Sequence, residues 1–192
     1  MIGTGGQAAC QLEAMLAALP LETVYVLSRR QEHARRFCEQ RKSSACRLEP
    51  SADRSVLLHC GVICTATSSH QPVFADEEIS PGTHINAVGS FRPDMAEIPL
   101  ATIQRAFVCV DQAETCLAEA GEFRQGIDTG QLPADYRAPE LGELLSGAAV
   151  GRSSPDEVTV FKSVGNAAQD LVCAAEILEA AQANDVGQRL TF

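Results

Sequence analysis

Three small groups of residues could carry chemistry. The first is the turn Gly3-Thr4-Gly5-Gly6-Gln7-Ala8, a Gly-x-Gly-x-x-Ala string that opens a helix-like run. Gly3 permits a tight turn, Gly5 lets backbone approach a pyrophosphate, and Ala8 lets helix pack on strand. The helix start adds free N–H groups and the positive end of a dipole. The second group is Ser28-Arg29-Arg30, about 20 residues beyond the turn, where an adenosine ribose is read in dinucleotide-binding folds. An Asp or Glu there would bind a 2′-hydroxyl. A hydroxyl with two guanidinium groups instead suits a phosphate dianion, so NADP(H) is expected in preference to NAD(H). The third group is Gly89 to Glu97, where Gly, Arg, Asp and Glu crowd directly behind an apolar run.

The elements that must position these groups follow from periodicity. A helix is expected from Gly6 to Leu19, ending at Pro20, and a strand at Val24–Leu27. A basic helix then runs from Gln31 to Arg41. Further strands are expected at Ala45–Leu48, Val62–Thr67, His84–Val88, Phe107–Val110 and Val158–Lys162. A short helix over Ser51–Cys60, which Ser51 could cap, falls between the first and second of these. Gln112–Ala120 reads as a helix closed by Gly121, Arg124–Pro139 as loop, Leu141–Leu145 as a helical piece ending at Gly147, and Ala167–Ala183 as a long apolar helix. Strands alternating with helices indicate an α/β fold with a doubly wound parallel sheet. Ligands in such sheets sit at the carboxyl ends of the strands. Thr65 and Thr67 are thereby cofactor neighbours or β-branched filling, and Asp111 stands at a strand end.

Composition excludes several classes. The formal net charge of −10 over 192 residues argues against nonspecific binding to nucleic acid or anionic membranes. The sequence has no apolar run of membrane-spanning length and no basic-then-apolar leader, so a cytoplasmic protein is expected. The eight cysteines have no CxxC pair, and the four histidines do not join them at zinc-like spacings; buried free thiols and no metal site are expected.

Three strings together resemble the ornithine cyclodeaminase/mu-crystallin family: Gly3 to Ala8, Gly82 to Glu97 with its Arg92-Pro93-Asp94-Met95-x-Glu97 segment, and Phe161-Lys162-Ser163-Val164-Gly165-Asn166-Ala167-Ala168-Gln169-Asp170. The resemblance runs over nearly the whole chain. It implies a Rossmann domain in a homodimer, acting on small amino acids or cyclic imines with a nicotinamide cofactor. The Arg92-Pro93-Asp94 form of the loop is similar to the ketimine-reductase branch, which reduces Δ1-pyrroline-2-carboxylate or Δ1-piperideine-2-carboxylate. The cyclodeaminases place a catalytic Asp two residues after the loop Gly, where this chain has Phe91; Asp94 is nearby and inherits that role only weakly.

By the same resemblance Gly6 and Gln7 contact the pyrophosphate, and Ser28, Arg29 and Arg30 the ribose phosphate. Thr65, Thr67, Val88, Gly89 and Ser163 lie near the nicotinamide, and Glu119 and Val164 near the substrate. Glu119 equally reads as a solvated helix acid and Val164 as core packing. Family members carry a long further segment before the glycine turn. It supplies an Arg and a Lys for the substrate carboxylate, much of the dimer interface and the first Rossmann strand. Residues 1–165 are accordingly expected to form a Rossmann domain lacking most of its first strand. Residues 166–192 form a C-terminal helix that would pack on the missing part. Three readings stay open: an NADPH-dependent imine reductase, an NADP-dependent binder of small ligands without turnover, or an inactive fragment.

Overall fold

The computed structural model describes residues 1–41 and 46–190. The described residues form six strands and seven α-helices, in the order α1 Gly6–Ala18, β1 Thr23–Leu27, α2 Gln31–Gln40, β2 Arg47–Ser51, β3 Val62–Thr65, β4 His84–Ala87, α3 Leu100–Arg105, β5 Phe107–Val110, α4 Ala113–Glu119, α5 Gly121–Asp128, α6 Leu141–Ser146, β6 Thr159–Lys162 and α7 Ala167–Ala183. Every strand pair is parallel, in the orders β1-β2 and β3-β4-β6-β5. Ile2 joins the two halves through parallel bridges to Leu27 and Thr65. The full order is thus β2-β1-(Ile2)-β3-β4-β6-β5, a Rossmann-type doubly wound sheet.

The expected reduced first strand is this two-residue joint. Ile2 N–H donates to the Cys64 carbonyl at 2.7 Å, and Ala66 N–H donates back to the Ile2 carbonyl at 2.9 Å. On the other side Leu27 N–H donates to Met1 O and Gly3 N–H to Leu27 O, each at 2.9 Å. The chain runs outward in both directions from this joint, so it is the switch point at which a doubly wound sheet opens a crevice.

Burial explains why these segments are strands. β3 and β5 bury three of four residues and β6 three of four, as sheets covered on both faces do. One apolar core contains Leu57, Ile63, Ile85, Ile103, Val110, Phe123 and Val160. A second, under α1 and α2, contains Ala8, Leu12, Val26, Ala34, Phe37 and Cys64. α2 is amphipathic, burying Ala34, Phe37 and Cys38 at helical spacing.

Four expectations need correction. β2 lies at Arg47–Ser51 rather than Ala45–Leu48, and Ala45 is outside the described residues. It is an edge strand carrying Pro50, which an edge tolerates and an apolar-run reading overlooks. The helix before β3 is a 3-10 turn at Arg54–His59 capped by Asp53, whose carboxylate accepts from Ser55 N–H at 2.9 Å; Ser51 belongs to β2. β3 ends at Thr65 and leaves Thr67 in the loop that follows. Finally, Gly121 opens α5 instead of closing α4, and part of the expected loop is helix. A Cβ at Gly121 would fall 1.8 Å from the Met95 carbonyl oxygen, so the glycine serves a close approach of backbones and not a stop. α7 has the expected bounds, capped by Asn166 accepting from Gln169 N–H at 3.2 Å, and none of its residues is buried.

Candidate functional site

The glycine turn leaves the joint at the carboxyl edge of the sheet. Gly3 has φ +110°, and a Cβ there would meet the Ala66 carbonyl oxygen at 2.3 Å. Gly5 and Gly6 have nothing within 4 Å of where a Cβ would stand. Gly5 is the N-cap of α1 and makes no side-chain cap, so the first-turn N–H groups of Gly6 and Gln7 are left without a capping side chain. A turn pinned below and empty above fits a dinucleotide pyrophosphate.

Ser28 follows β1 directly and is half-buried; Arg29 and Arg30 are exposed beside it, and Arg30 is the N-cap of α2. Neither arginine forms an ion pair among the described residues. Thr65, Thr67, Val88, Gly89 and Ser163 lie at or just past the ends of β3, β4 and β6, on the same edge. The structure therefore brings the sequence candidates for cofactor binding to one side of the sheet.

What holds them there is a set of three acids, two of them buried. Glu97 is fully buried. Its Oε1 accepts from Thr67 N–H at 2.6 Å, and its Oε2 from Gly89 N–H at 2.8 Å and from the Thr65 hydroxyl at 3.0 Å. One carboxylate thus ties the β3 end to the β4 end. Behind it Glu122, also buried, accepts from the Ser90 hydroxyl and from Glu97 N–H, both at 2.7 Å. The Lys162 side chain, 1% exposed, donates to the Ser90 carbonyl at 2.5 Å. A third acid, Asp111, fixes the loop after β6. Its Oδ2 accepts from the Ser163 hydroxyl at 2.7 Å, Val164 N–H at 3.1 Å and Gly165 N–H at 2.7 Å.

Other candidates are placed differently. Asp94 is at the surface, where Arg92 holds it with two hydrogen bonds of 3.1 and 3.0 Å and His70 Nδ1 lies 3.4 Å from its Oδ2. Phe91 beside them is exposed. Glu119 is exposed at the end of α4, and Val164 is half-buried against the larger core. Glu122 carried no signal in the sequence beyond its place after Gly121; Lys162 and Glu97 were visible only inside motif strings. Cys64 and Cys116 are buried near this region, and burial pushes their thiols up to about 11 and about 12. Among the described residues no group of His, Cys, Asp and Glu could hold a metal ion, and no helix is long and apolar enough to cross a membrane.

The ornithine cyclodeaminase/mu-crystallin family model matches residues 1–185. The chain belongs to that family. Within it, the Δ1-pyrroline-2-carboxylate reductase of Bacillus cereus is 37% identical over 195 residues, covering 100% of this chain and 60% of its own length. The Thermococcus litoralis Δ1-pyrroline-2-carboxylate reductase, solved in complex with NADH and L-proline, is similar with a TM-score of 0.90 at 30% identity. It covers 98% of this chain and 59% of its own. An archaeal alanine dehydrogenase dimer with bound NAD is similar with a TM-score of 0.87 at 31% identity, over 100% of this chain and 59% of its own. The chain spans about 60% of the length of the curated relatives it matches.

Proposed function

We propose that the protein reduces a small cyclic imine carboxylate, Δ1-pyrroline-2-carboxylate or Δ1-piperideine-2-carboxylate, to the cyclic amino acid with a nicotinamide cofactor. The observation that carries this is the gathering of the glycine turn, Thr65, Gly89 and Ser163 at one sheet edge, braced by Glu97 and Asp111. The similarity to pyrroline-2-carboxylate reductases supports it. A bound nicotinamide supplies a hydride to the imine carbon. The residues of this chain supply position. Gly6 and Gln7 N–H groups hold the pyrophosphate, and Ser28, Arg29 and Arg30 hold the adenosine ribose. Glu97 holds the Gly89 and Thr67 backbone, and Asp111 holds Ser163 and Val164, at the sheet edge where a nicotinamide would be received. Such alignment lowers the barrier by placing reacting atoms within contact distance.

The Ser28-Arg29-Arg30 string favours NADPH over NADH, although the similar structures described above carry NADH and NAD. Oxidation of NADPH and NADH by the full-length protein with each imine tests both parts. Faster turnover with NADPH is expected. Equal or better use of NADH removes the cofactor preference, and no imine reduction with either removes the activity.

A second reading, an NADP-dependent binder of small ligands, is favoured by one observation. Lys162 is committed to the Ser90 carbonyl and Arg92 to Asp94, so neither reaches out to a substrate carboxylate. Thermal stabilisation by NADPH without imine reduction would support it. In the full-length protein we take α7, none of whose residues is buried, as the surface that meets a substrate-binding and dimerisation domain. Sedimentation of that protein as a homodimer is the expected result.

A further inference from the structure

The loops that follow β3 and β4 meet at one histidine. Ala96 N–H donates to the Ser69 carbonyl at 3.0 Å, and His70 and Ala96 form a parallel bridge. His70 Nδ1 lies 2.7 Å from the Asp94 carbonyl oxygen. A carbonyl only accepts, so Nδ1 carries a hydrogen, and Nε2 is the nitrogen free to take up and release a proton. Nε2 has no hydrogen-bond partner among the described residues, and the side chain is 60% exposed. The Asp94 carboxylate stands 3.4 Å from the same Nδ1, and Arg92 holds that carboxylate with two hydrogen bonds. Among the described residues these are the charged groups that face the ring. Gln125 of α5, which donates to the Pro93 carbonyl at 2.9 Å, is neutral.

A ring oriented through Nδ1 by an acid, with Nε2 open, is built to move a proton. Its place in the chain fits that role. His70 is three residues beyond Thr67, and Asp94 is three before Glu97, whose carboxylate holds the Thr67 and Gly89 N–H groups. Three residues of extended chain span at most about 11 Å, so the ring stays close to the edge where a nicotinamide would be received. We propose that His70 is the proton donor, passing a proton from Nε2 to the imine nitrogen, with Asp94 and Arg92 as its positioning residues. The proposal rests on reading the protein as an imine reductase. The imine carbon receives the hydride, and the electron pair of the C=N π bond takes the Nε2 proton. A C–H and an N–H bond form, and the imine is reduced by the two electrons of the hydride. The ring is left neutral with its Nδ1–H still donated to Asp94, and water returns a proton to the exposed Nε2.

His70→Asn keeps a donor where Nδ1 stood and removes the titrating ring. Asp94→Asn keeps the backbone carbonyl and removes the charge. In the full-length protein, kcat for imine reduction by His70→Asn should fall about hundredfold at about pH 8. The loss should shrink toward about pH 5, where solvent protonates the imine. The urea midpoint and the KM for the cofactor should stay near those of the parent. Asp94→Asn should give a smaller loss of kcat with a displaced pH profile. A readout independent of turnover is ¹⁵N NMR of the histidine rings. His70 should show a protonated Nδ1 and a titrating Nε2, and the Nε2 signal should move when L-proline is added with the oxidised cofactor. Equal kcat in His70→Asn and parent at every pH, or an Nε2 signal indifferent to L-proline, overturns the proton donor and leaves imine reduction standing. A loss of kcat independent of pH, with a lowered urea midpoint, also overturns it, since His70 then only staples the two loops. Absence of imine reduction in the parent refutes the reductase reading, and the proposal with it.

Discussion

Gly3 and Gly5 are two residues apart in one turn, yet a methyl group means different things at each. At Gly3 it would enter the left-handed region and strike the Ala66 carbonyl. Gly3→Ala should cost about 2–5 kcal/mol, read as a drop in the urea midpoint. At Gly5 it would project into space that no protein atom occupies. Gly5→Ala should leave the urea midpoint near that of the parent and weaken dinucleotide binding about tenfold or more, since only the pyrophosphate would meet it. Glu97 makes a complementary case. Glu97→Gln replaces one acceptor oxygen with an amide NH2, a donor that faces a backbone N–H at Thr67 or Gly89. A buried, charge-assisted arrangement lost in this way should destabilise the protein by about 3 kcal/mol, measured by chemical denaturation. The two glycines were legible as a motif, but the brace was not. Sequence spacing cannot show that Glu97, 32 residues beyond Thr65 and 8 beyond Gly89, accepts from both.

Elements with strong local signals were the legible ones. α7 pairs an Asn166 cap with unbroken helix formers, and its bounds came out as expected. β3 to β6 are short apolar runs between turn residues, legible to within two residues. β2 was displaced because its sequence, Arg-Leu-Glu-Pro-Ser, has no apolar pattern; pairing with β1 makes it a strand. α5 was lost because a glycine required by the Met95 backbone looks, in sequence, like a helix terminator. β4 also carries a pH dependence. Burial holds the His84 imidazole below its usual range, the Asn86 bond opposes this, and Arg152 adds to it. The folded state therefore disfavours the proton. The contribution of His84 to stability is complete above about pH 6.5 and is lost as pH falls through the depressed folded value. The urea midpoint should decline between pH 7.5 and 5.5 by more in the parent than in His84→Gln, a difference of up to about 1 kcal/mol.

At the scale of the whole molecule, all eight cysteines are free thiols, and accessibility sorts them. Cys10 and Cys173 are exposed, Cys60 is half-buried, and Cys38, Cys46, Cys64, Cys109 and Cys116 are buried. A thiol reagent should modify Cys10 and Cys173 first and Cys60 more slowly. Burial and raised pKa protect the other five until the chain unfolds. Mass mapping of the modified peptides checks this order. The joint at Ile2 has a different consequence. Two backbone hydrogen bonds couple it to β3, whereas β3, β4, β6 and β5 form a continuous ladder. The β1-α2-β2 unit is therefore the part of the sheet that can open with the least disruption. Its amides should exchange with deuterium ahead of those in β4 and β6. A dinucleotide lying across the joint would contact Gly6 on one bank and Arg29 on the other, and so would slow exchange in β1 and β2 more than elsewhere. Ligand binding would then register as the fusion of two opening units into one.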